Sequence, residues 1–187
     1  DGISLRANSA LAVNAPTLAV LPGQKSSVKY CGCAGIYAEV GKITLTNTTI
    51  SRNHWGVIQR SALASGDADL ALVNLNGLNA ATAAPNIIAC NGRSEPGLVC
   101  PGLGDAPGFG IWNNSGLPLN ADNNQWDSSP VGKCACDSTL ATCTCTGAAA
   151  GNVTPPDKTA VVISPVNAGD PAGTVTFTNY AAAPACN

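Results

Sequence analysis

The chain is poor in the residues on which several classes of protein depend. Only 11% of its 187 residues are charged, only 4% are aromatic, and it holds one histidine and no methionine. Soluble proteins average about 25% charged residues, and long exposed helices draw on Glu, Lys and Arg in particular. The composition therefore argues against a long-helix protein.

Two kinds of partner are also disfavoured. The net charge is −2 and no basic run occurs, so the sequence offers no phosphate-binding surface for nucleic acid. No apolar stretch reaches the roughly 18 residues that a membrane-spanning helix needs. We therefore expect neither a nucleic-acid partner nor a membrane span.

Hydrophobic residues are abundant enough for a core. They make up 45% of the chain, which argues against disorder because burying them offsets the entropy lost on folding. With so few charges, the surface must consist of Asn, Ser, Thr and Gly, a composition typical of repetitive extracellular β-structures. The length fits one domain, which we assign to residues 1–187.

The cysteines indicate an oxidising compartment. There are nine of them: Cys31, Cys33, Cys90, Cys100, Cys134, Cys136, Cys143, Cys145 and Cys186. So many cysteines in a chain poor in Lys and Glu predict disulfides and export, and all nine are disulfide candidates. Because nine is odd, one thiol is free, paired between chains, or bonded to a missing segment. The segment from Asp1 lacks the features of a signal peptide, so we interpret Asp1 as a processed or truncated start.

Three Cys-x-Cys motifs leave a second interpretation of the cysteines open. Residues two apart on a strand face the same side, so such a pair could chelate copper or zinc through its thiolates. We favour disulfides because export favours oxidation, and we predict neither a metal site nor a cofactor.

The pattern along the chain predicts short strands and a repeat. Alternating apolar and polar residues favour strands at 43–50, 70–75 and 173–178, with shorter ones at 3–5 and 17–21. Three similar tripeptides recur, each before an apolar-x-apolar strand that soon meets Asn: Gly35-Ile36-Tyr37, Gly56-Val57-Ile58 and Gly110-Ile111-Trp112. A repeat of about 20 to 30 residues with Asn and Gly at its turns is typical of a solenoid, in which Asn tolerates the left-handed conformation and bonds to the neighbouring backbone.

Part of the chain resembles a known fold family. Residues 43–53, 86–92 and 119–130 carry the Asn- and Gly-rich strand pattern, with Trp126 ahead of Pro130. The segment from about 35 to 130 resembles the right-handed parallel β-helix repeats of bacterial surface and secreted proteins, in the pectate-lyase-like superfamily. The resemblance implies an all-β, right-handed parallel β-helix. The character of the sequence changes from residue 131 onward, so we expect coils over 1–133, then a Cys-rich loop and capping strands over 134–187. Residues 160–163 and 174–178 form either further coils or that cap.

Candidate catalytic groups are sparse. Asp67 with Asp69, and Asp122 with Asp127, are the carboxylates that a hydrolase or lyase of this superfamily would have to cluster. The single histidine, His54, would serve a Ser or Cys nucleophile, but no Gly-x-Ser-x-Gly elbow accompanies it. We favour turn and structural roles for these residues and predict no catalytic residue.

The aromatic residues and the threonine rows each have two interpretations. Tyr37, Trp55, Trp112 and Trp126 could form a sugar-stacking platform, but large aromatics in a chain with so few usually anchor packing. Threonines at 44/46/48, 142/144/146 and 174/176/178 are reminiscent of ice-binding solenoids, but their irregular spacing favours solvated strand faces.

These observations lead to one preferred function and two alternatives. We expect a non-catalytic extracellular module, secreted or at the cell surface, that stacks with copies of itself or with other surface proteins, as a filament subunit does. The alternatives are a polysaccharide-acting lyase or hydrolase and a carbohydrate-binding adhesin.

Overall fold

The computed structural model describes residues 2–5, 17–19, 26–39, 42–60, 72–76, 85–92, 110–126, 133–137, 143–146, 161–163, 172–178 and 181–183. These residues form seventeen strands and no helix, so the part of the chain that is described is all-β. No helix within it is of the length and apolarity that crossing a bilayer demands.

Most strands fall into rounds of three consecutive strands. The first two rounds are β1 (Ile3–Leu5), β2 (Thr17–Ala19) and β3 (Ser26–Lys29), then β4 (Ala34–Ala38), β5 (Lys42–Thr44) and β6 (Thr48–Ser51). The next two are β7 (Trp55–Arg60), β8 (Leu72–Asn74) and β9 (Ile87–Ala89), then β10 (Ile111–Asn114), β11 (Pro118–Asn120) and β12 (Gln125–Trp126). A hairpin follows, β13 (Lys133–Cys136) and β14 (Cys143–Thr146), and the last round is β15 (Val161–Ile163), β16 (Thr174–Thr176) and β17 (Ala181–Ala182).

Each round gives one strand to each of three sheets. Sheet A has the order β1-β4-β7-β10-β15-β13-β14, sheet B the order β16-β11-β8-β5-β2, and sheet C the order β17-β12-β9-β6-β3. All pairs between rounds are parallel, and only β13 and β14 pair antiparallel. Strands β15 to β17 thus extend the three sheets in parallel, which is the first of the two arrangements considered for residues 160–178.

The core lies where the inward side chains of the three sheets meet. Pairing sets like residues above one another: Ile36 pairs with Val57 and Val57 with Ile111 in sheet A, and Ile50 pairs with Ile88 in sheet C. The buried core cluster comprises Ile36, Ala38, Ile43, Leu45, Ile50, Val57, Val73, Leu75, Ile88, Ile111, Leu119, Ala121, Trp126, Ile163 and Val175. Aliphatic residues in parallel register bury a continuous apolar column across the rounds.

The central strands of sheet A, β4, β7 and β10, are buried on both faces. Tyr37, Ile58 and Trp112 follow the inward residues of their strands directly, so they point to the opposite face, and they lie outside the core cluster. All three are nevertheless buried. Parallel strands covered on both faces have nearly continuous apolar sequences, which explains the weak alternation in this part of the chain.

A ladder of buried amides closes the corner between sheets C and A. Cys31, Asn53 and Asn91 take equivalent positions in successive rounds, two residues beyond the paired ends of β3, β6 and β9. Asn53 Oδ1 accepts from Cys31 N at 3.0 Å, and Asn91 Oδ1 accepts from Asn53 N at 3.2 Å and Asn53 Nδ2 at 3.1 Å. The amide nitrogens donate back to Val28 O and Ile50 O. The ladder therefore satisfies backbone groups that leave the sheets at this bend.

The repeated glycines make room for this ladder. A Cβ on Gly35 would lie 2.6 Å from Asn53 Nδ2, and one on Gly56 would lie 2.9 Å from Asn91 Nδ2. Both approaches are too close for any residue with a side chain. The Gly-Ile-Tyr and Gly-Val-Ile repeats in the sequence thus reflect the contact between sheet A and the ladder.

The other two corners also contain buried amides. Between sheets B and C, Asn86 Oδ1 accepts from Thr48 N, and Asn124 Oδ1 accepts from Asn86 N, each at 3.0 Å. Between sheets A and B, Gln59 Oε1 accepts from Val73 N at 2.8 Å, while Asn113 Nδ2 donates to the carbonyls of Leu117 and Thr174. All three bends therefore use side-chain amides to pair backbone groups that the sheets leave unpaired.

Residues with a left-handed backbone conformation form the bends beside the buried amides of two corners. Tyr30, Arg52 and Cys90 have φ of 58°, 58° and 60° and precede the ladder positions at the C-to-A corner. Asn47 and Asn123, with φ of 52° and 58°, precede those at the B-to-C corner. The predicted strand over 43–50 was therefore wrong in its extent: the left-handed Asn47 splits it into β5 and β6.

Burial in the shared core predicts a stability cost. Leu119 is fully buried in β11, so Leu119→Ala should lower the free energy of unfolding by about 2–5 kcal/mol through lost burial and a cavity. Ser27→Ala, on the exposed face of β3, should change it by less than about 0.5 kcal/mol. Denaturant titration of both variants measures the difference, and equal stabilities would contradict the core assignment.

Candidate functional site

The strands at one end of the three sheets have an unpaired side. Among the described residues, β1, β2 and β3 each pair with a single neighbour, so the three strands of the first round together form an open edge. At the opposite end β14, β16 and β17 are the outermost strands. Unpaired backbone N–H and C=O groups on such an edge are a template for pairing with another chain. We call the β1–β2–β3 side the first-round edge.

Hydrogen bonds show which backbone groups of β3 face this edge. Ser26 N donates to Asn47 O at 3.3 Å, toward the next round. Successive residues of a strand direct their backbone groups to alternate sides, so the N–H and C=O of Ser27 face away from the next round. The Ser27 side chain is exposed. Ser27 therefore offers a donor and an acceptor to an added strand.

The side chains near the first-round edge are small or cationic. Gly2, Ser4 and Ser27 are exposed, and so is Lys29. Tyr30 is 65% exposed, and the Arg52 guanidinium carbon lies 5.4 Å from the centre of its ring, a cation–π distance. A lysine on an edge strand weakens pairing with a cation placed opposite it, so an added strand must set a neutral or acidic residue opposite Lys29.

A polar cluster lies on the outer face of sheet A. Tyr37 Oη donates to Glu39 Oε1 at 2.6 Å, and Arg60 also interacts with the phenol. Burial of the ring, then the hydrogen bond and the negative charge of Glu39, raise the pKa of Tyr37 above 10.0, while Arg60 opposes that rise. The cluster holds the phenol protonated and locks the end of β4 to the end of β7.

The four aromatic residues proposed for sugar stacking are buried. Tyr37 and Trp112 are 6% and 3% exposed, and Trp55 and Trp126 are fully buried. Trp55 and Trp112 stack with ring centres 4.9 Å apart, and Trp126 belongs to the core cluster. The packing interpretation is the one observed, and the stacking platform was wrong because these rings have no exposed face to offer.

The five cysteines whose side chains the structure describes divide into two chemical states. Cys33, Cys90, Cys134 and Cys136 are disulfide-bonded, whereas Cys31 carries a free thiol. Including Cys31 among the disulfide candidates was therefore wrong. It occupies the first position of the C-to-A ladder, where its Sγ donates to Lys29 O at 3.6 Å and lies against Gly2. Cys100 and Cys186 lie outside the described residues, as do the side chains of Cys143 and Cys145.

The candidate carboxylates are not brought together in the part of the chain that is described. Asp67, Asp69 and Asp127 lie outside it. Asp122 accepts from Thr178 N and from the hydroxyls of Thr176 and Thr178, which is a turn role. The described residues contain no group of three or more His, Cys, Asp or Glu side chains placed to hold a metal ion.

The histidine and the threonines take ordinary positions. His54 is half-buried at the C-to-A corner, with its ring edge toward Trp55 at 6.2 Å between centres. Thr174 and Thr176 are exposed on β16, whereas Thr46 and Thr48 are buried at a corner. Residue 142 lies outside the described residues, and Thr144 is exposed. The two described rows thus differ in burial and do not form one flat face.

Sequence analysis predicted that Asn at the turns bonds to the neighbouring backbone, but it missed two features of this region: the burial of these amides and the open edge. Asn53, Asn86, Asn91 and Gln59 are buried amides, although Asn and Gln are usually assigned to the surface. The signal that identifies the first of them is the spacing to the glycine repeats, which place a glycine opposite each ladder amide. The open edge has no sequence signal of its own, because it follows from strand order.

Comparisons of the chain with protein-family models, with curated proteins and with solved structures gave no match. The structure shows an all-β architecture of parallel sheets. The resemblance to the pectate-lyase-like superfamily stays a prediction.

The row of buried amides between sheets B and C can be tested by removing the donor group of one member. In Asn86→Asp the carboxylate replaces an Nδ2 that donates to Leu45 O, Leu75 O and Asn124 Oδ1, so a buried charge would face three acceptors. We expect a loss of about 3–5 kcal/mol in the free energy of unfolding at neutral pH. Asn74→Asp is the matched control, since half-buried Asn74 only accepts from Asn76 N and should change stability by less than about 0.5 kcal/mol. Similar effects of the two substitutions would disprove the role of this row.

The polar cluster predicts a pH dependence. A pKa raised on folding means that the folded state resists deprotonation of Tyr37, so stability from this group is complete below pH 10 and is lost as pH rises through the folded value. Above pH 10 the free energy of unfolding of the wild type should therefore fall relative to that of Tyr37→Phe. Denaturant titrations at neutral and alkaline pH measure it, and a pH-independent difference would contradict the assignment.

Proposed function

We propose that the chain is a right-handed parallel β-helix in which each round is one coil. The cyclic order of strands through sheets A, B and C, with parallel register in all three, supports a coil. Parallel strands joined through a crossover are right-handed in about 98% of cases, which supports the hand. The continuous core and the stacked amides at all three corners agree with coils that stack directly on one another.

We further propose that this β-helix is a non-catalytic extracellular module that assembles with copies of itself through the first-round edge. The observation that carries the proposal is that β1, β2 and β3 all have an unpaired side at the same end of the three sheets. Low charge over the whole chain limits repulsion between copies, and the cysteine content favours an oxidising, secreted setting.

Three edges are needed because each is short. A strand of three or four residues offers few outward groups, and each backbone hydrogen bond contributes about 0.5–1.5 kcal/mol net. Bringing two proteins together costs roughly 4–15 kcal/mol in lost translational and rotational freedom. One such edge cannot offset this cost, whereas three edges that engage together can.

The two alternative functions have less support. A carbohydrate-binding adhesin would need exposed aromatic faces, and the four aromatics proposed for that role are buried. A polysaccharide-acting enzyme would need clustered carboxylates, and the described Asp122 is engaged with Thr176 and Thr178. Neither alternative is carried by a specific observation.

A single proline tests the assembly. Because the Ser27 N–H faces away from β6, Ser27→Pro removes an outward donor of β3 without breaking a bond to β6. We expect the wild type to form dimers or larger assemblies, seen by light scattering after size-exclusion chromatography, and Ser27→Pro to be monomeric with an unchanged circular dichroism spectrum.

Ser27→Ala is the control, since it keeps the backbone donor and should assemble like the wild type. A wild-type protein that stays monomeric at high concentration would refute self-assembly. Multimers that persist in Ser27→Pro would place the contact elsewhere than on β3.

A further inference from the structure

The strand register assigns a disulfide framework to this chain. We infer that the β13–β14 hairpin holds two disulfides between directly opposed cysteines, that Cys33 and Cys90 are bridged separately to cysteines elsewhere, and that Cys31 is the odd thiol. The inference does not depend on the proposed assembly, because it concerns bonds within one chain.

The hairpin pairs its four cysteines face to face. Cys134 lies opposite Cys145, and Cys136 lies opposite Cys143. Opposed residues of an antiparallel pair have Cα atoms about 4.5–5.5 Å apart, within the roughly 4.4–6.8 Å that a disulfide spans. Cys134 and Cys136 are both disulfide-bonded and both buried, whereas Ala135 between them is exposed. The two bonded cysteines thus share one face of the hairpin.

The other pairings within the hairpin do not fit. Diagonal partners such as Cys134 and Cys143 have Cα atoms about 7–8 Å apart, beyond the reach of a disulfide. Cys134 and Cys136, two residues apart on one strand, have parallel Cβ vectors about 6.6 Å apart, where a disulfide needs roughly 3.5–4.5 Å. Only the opposed pairs remain: Cys134–Cys145 and Cys136–Cys143.

Cys33 and Cys90 are too far apart to bond to each other. Trp55 N donates to Cys33 O at 2.9 Å, and Arg52 N donates to Cys90 O at 3.1 Å. The segment 52–55 therefore lies between the two cysteines, and two strand spacings separate them by about 10 Å. Each is nevertheless disulfide-bonded.

The disulfide partners of Cys33 and Cys90 follow by elimination. Cys31 carries a free thiol, and the hairpin uses four cysteines, so within these 187 residues Cys100 and Cys186 are left for Cys33 and Cys90. The framework then has four bridges and one thiol, which accounts for the odd number of cysteines.

Tryptic mapping of the unreduced protein tests the framework, because the basic residues separate the cysteines into five peptides: 30–42, 61–93, 94–133, 134–158 and 159–187. The protein is denatured and alkylated at low pH, then digested and analysed by mass spectrometry. We expect peptide 134–158 to be joined to no other peptide and to be four hydrogen atoms lighter than its reduced form. Peptides 30–42 and 61–93 should each be joined to a different one of 94–133 and 159–187, and Cys31 should be the alkylated cysteine.

Three results of the map would overturn the inference. These are a bridge between peptides 30–42 and 61–93, a bridge from 134–158 to another peptide, or alkylation of a cysteine other than Cys31. A further chymotryptic cut after Leu140 should leave the two halves of 134–158 joined, and their separation would instead show bridges along each strand.

One substitution decides the pairing inside the hairpin. Cys136→Ser releases the partner of Cys136, which is Cys143 for opposed bridges, Cys145 for diagonal ones and Cys134 for bridges along the strand. We expect new alkylation at Cys143, and alkylation at either of the others would refute the opposed pairs. Cys31→Ser is the matched control, since it should remove the free thiol and release no other. If Cys136→Ser does not fold, fragmentation of wild-type peptide 134–158 between its cysteines gives the same assignment.

Discussion

The buried side-chain amides at the bends are the interaction on which the rest of the structure depends. Wherever the backbone leaves one sheet for the next, its N–H and C=O groups lose their partners, and a buried group left unpaired costs about 1–3 kcal/mol. Asn53, Asn86, Asn91 and Asn124 each accept from the preceding round and donate to backbone carbonyls. A side-chain amide can do both at once, because its oxygen accepts while its two N–H groups donate. Without these residues, water would have to enter the bends to pair the backbone groups. The sheets could then not enclose a common apolar core.

This requirement spreads from the bends into the strands. The ladder amides come so close to sheet A that Gly35 and Gly56 are needed opposite Asn53 and Asn91. At the corner between sheets C and A, the residue before each ladder position adopts the left-handed conformation, which Arg52 and Tyr30 accept although they lack the short polar side chain that usually makes it easy. The strands between the bends are consequently short, and most of their stability comes from pairing with the rounds on either side.

The fold class could be anticipated from the sequence, but the site could not. Alternation and the glycine repeat identified most strands, and the parallel arrangement follows from stacking like residues such as Val57 and Ile111. The strand at 43–50 was drawn too long, because alternation continues through Asn47 while the backbone reverses. Side-chain type left two cases open: Trp112 had a stacking and a packing interpretation and is buried, and Cys31 was one of nine disulfide candidates of which one had to be odd, and it is the free thiol. Each depends on which segments lie above and below it, and a linear pattern carries no such information.

The hairpin gives the molecule a step at one end. Sheet A has seven strands where sheets B and C have five, so β13 and β14 project about 10 Å beyond the last round on one side only. Strand β14 also runs opposite to every other strand of sheet A. A second copy in the same orientation could not lie flush on this end, since its sheet A would meet the step before its sheets B and C made contact. Among the described strands only those of the first-round edge end level with one another, so contact between two such edges would leave a step facing outward at both ends, and growth would stop at a closed pair rather than continue as a fibre.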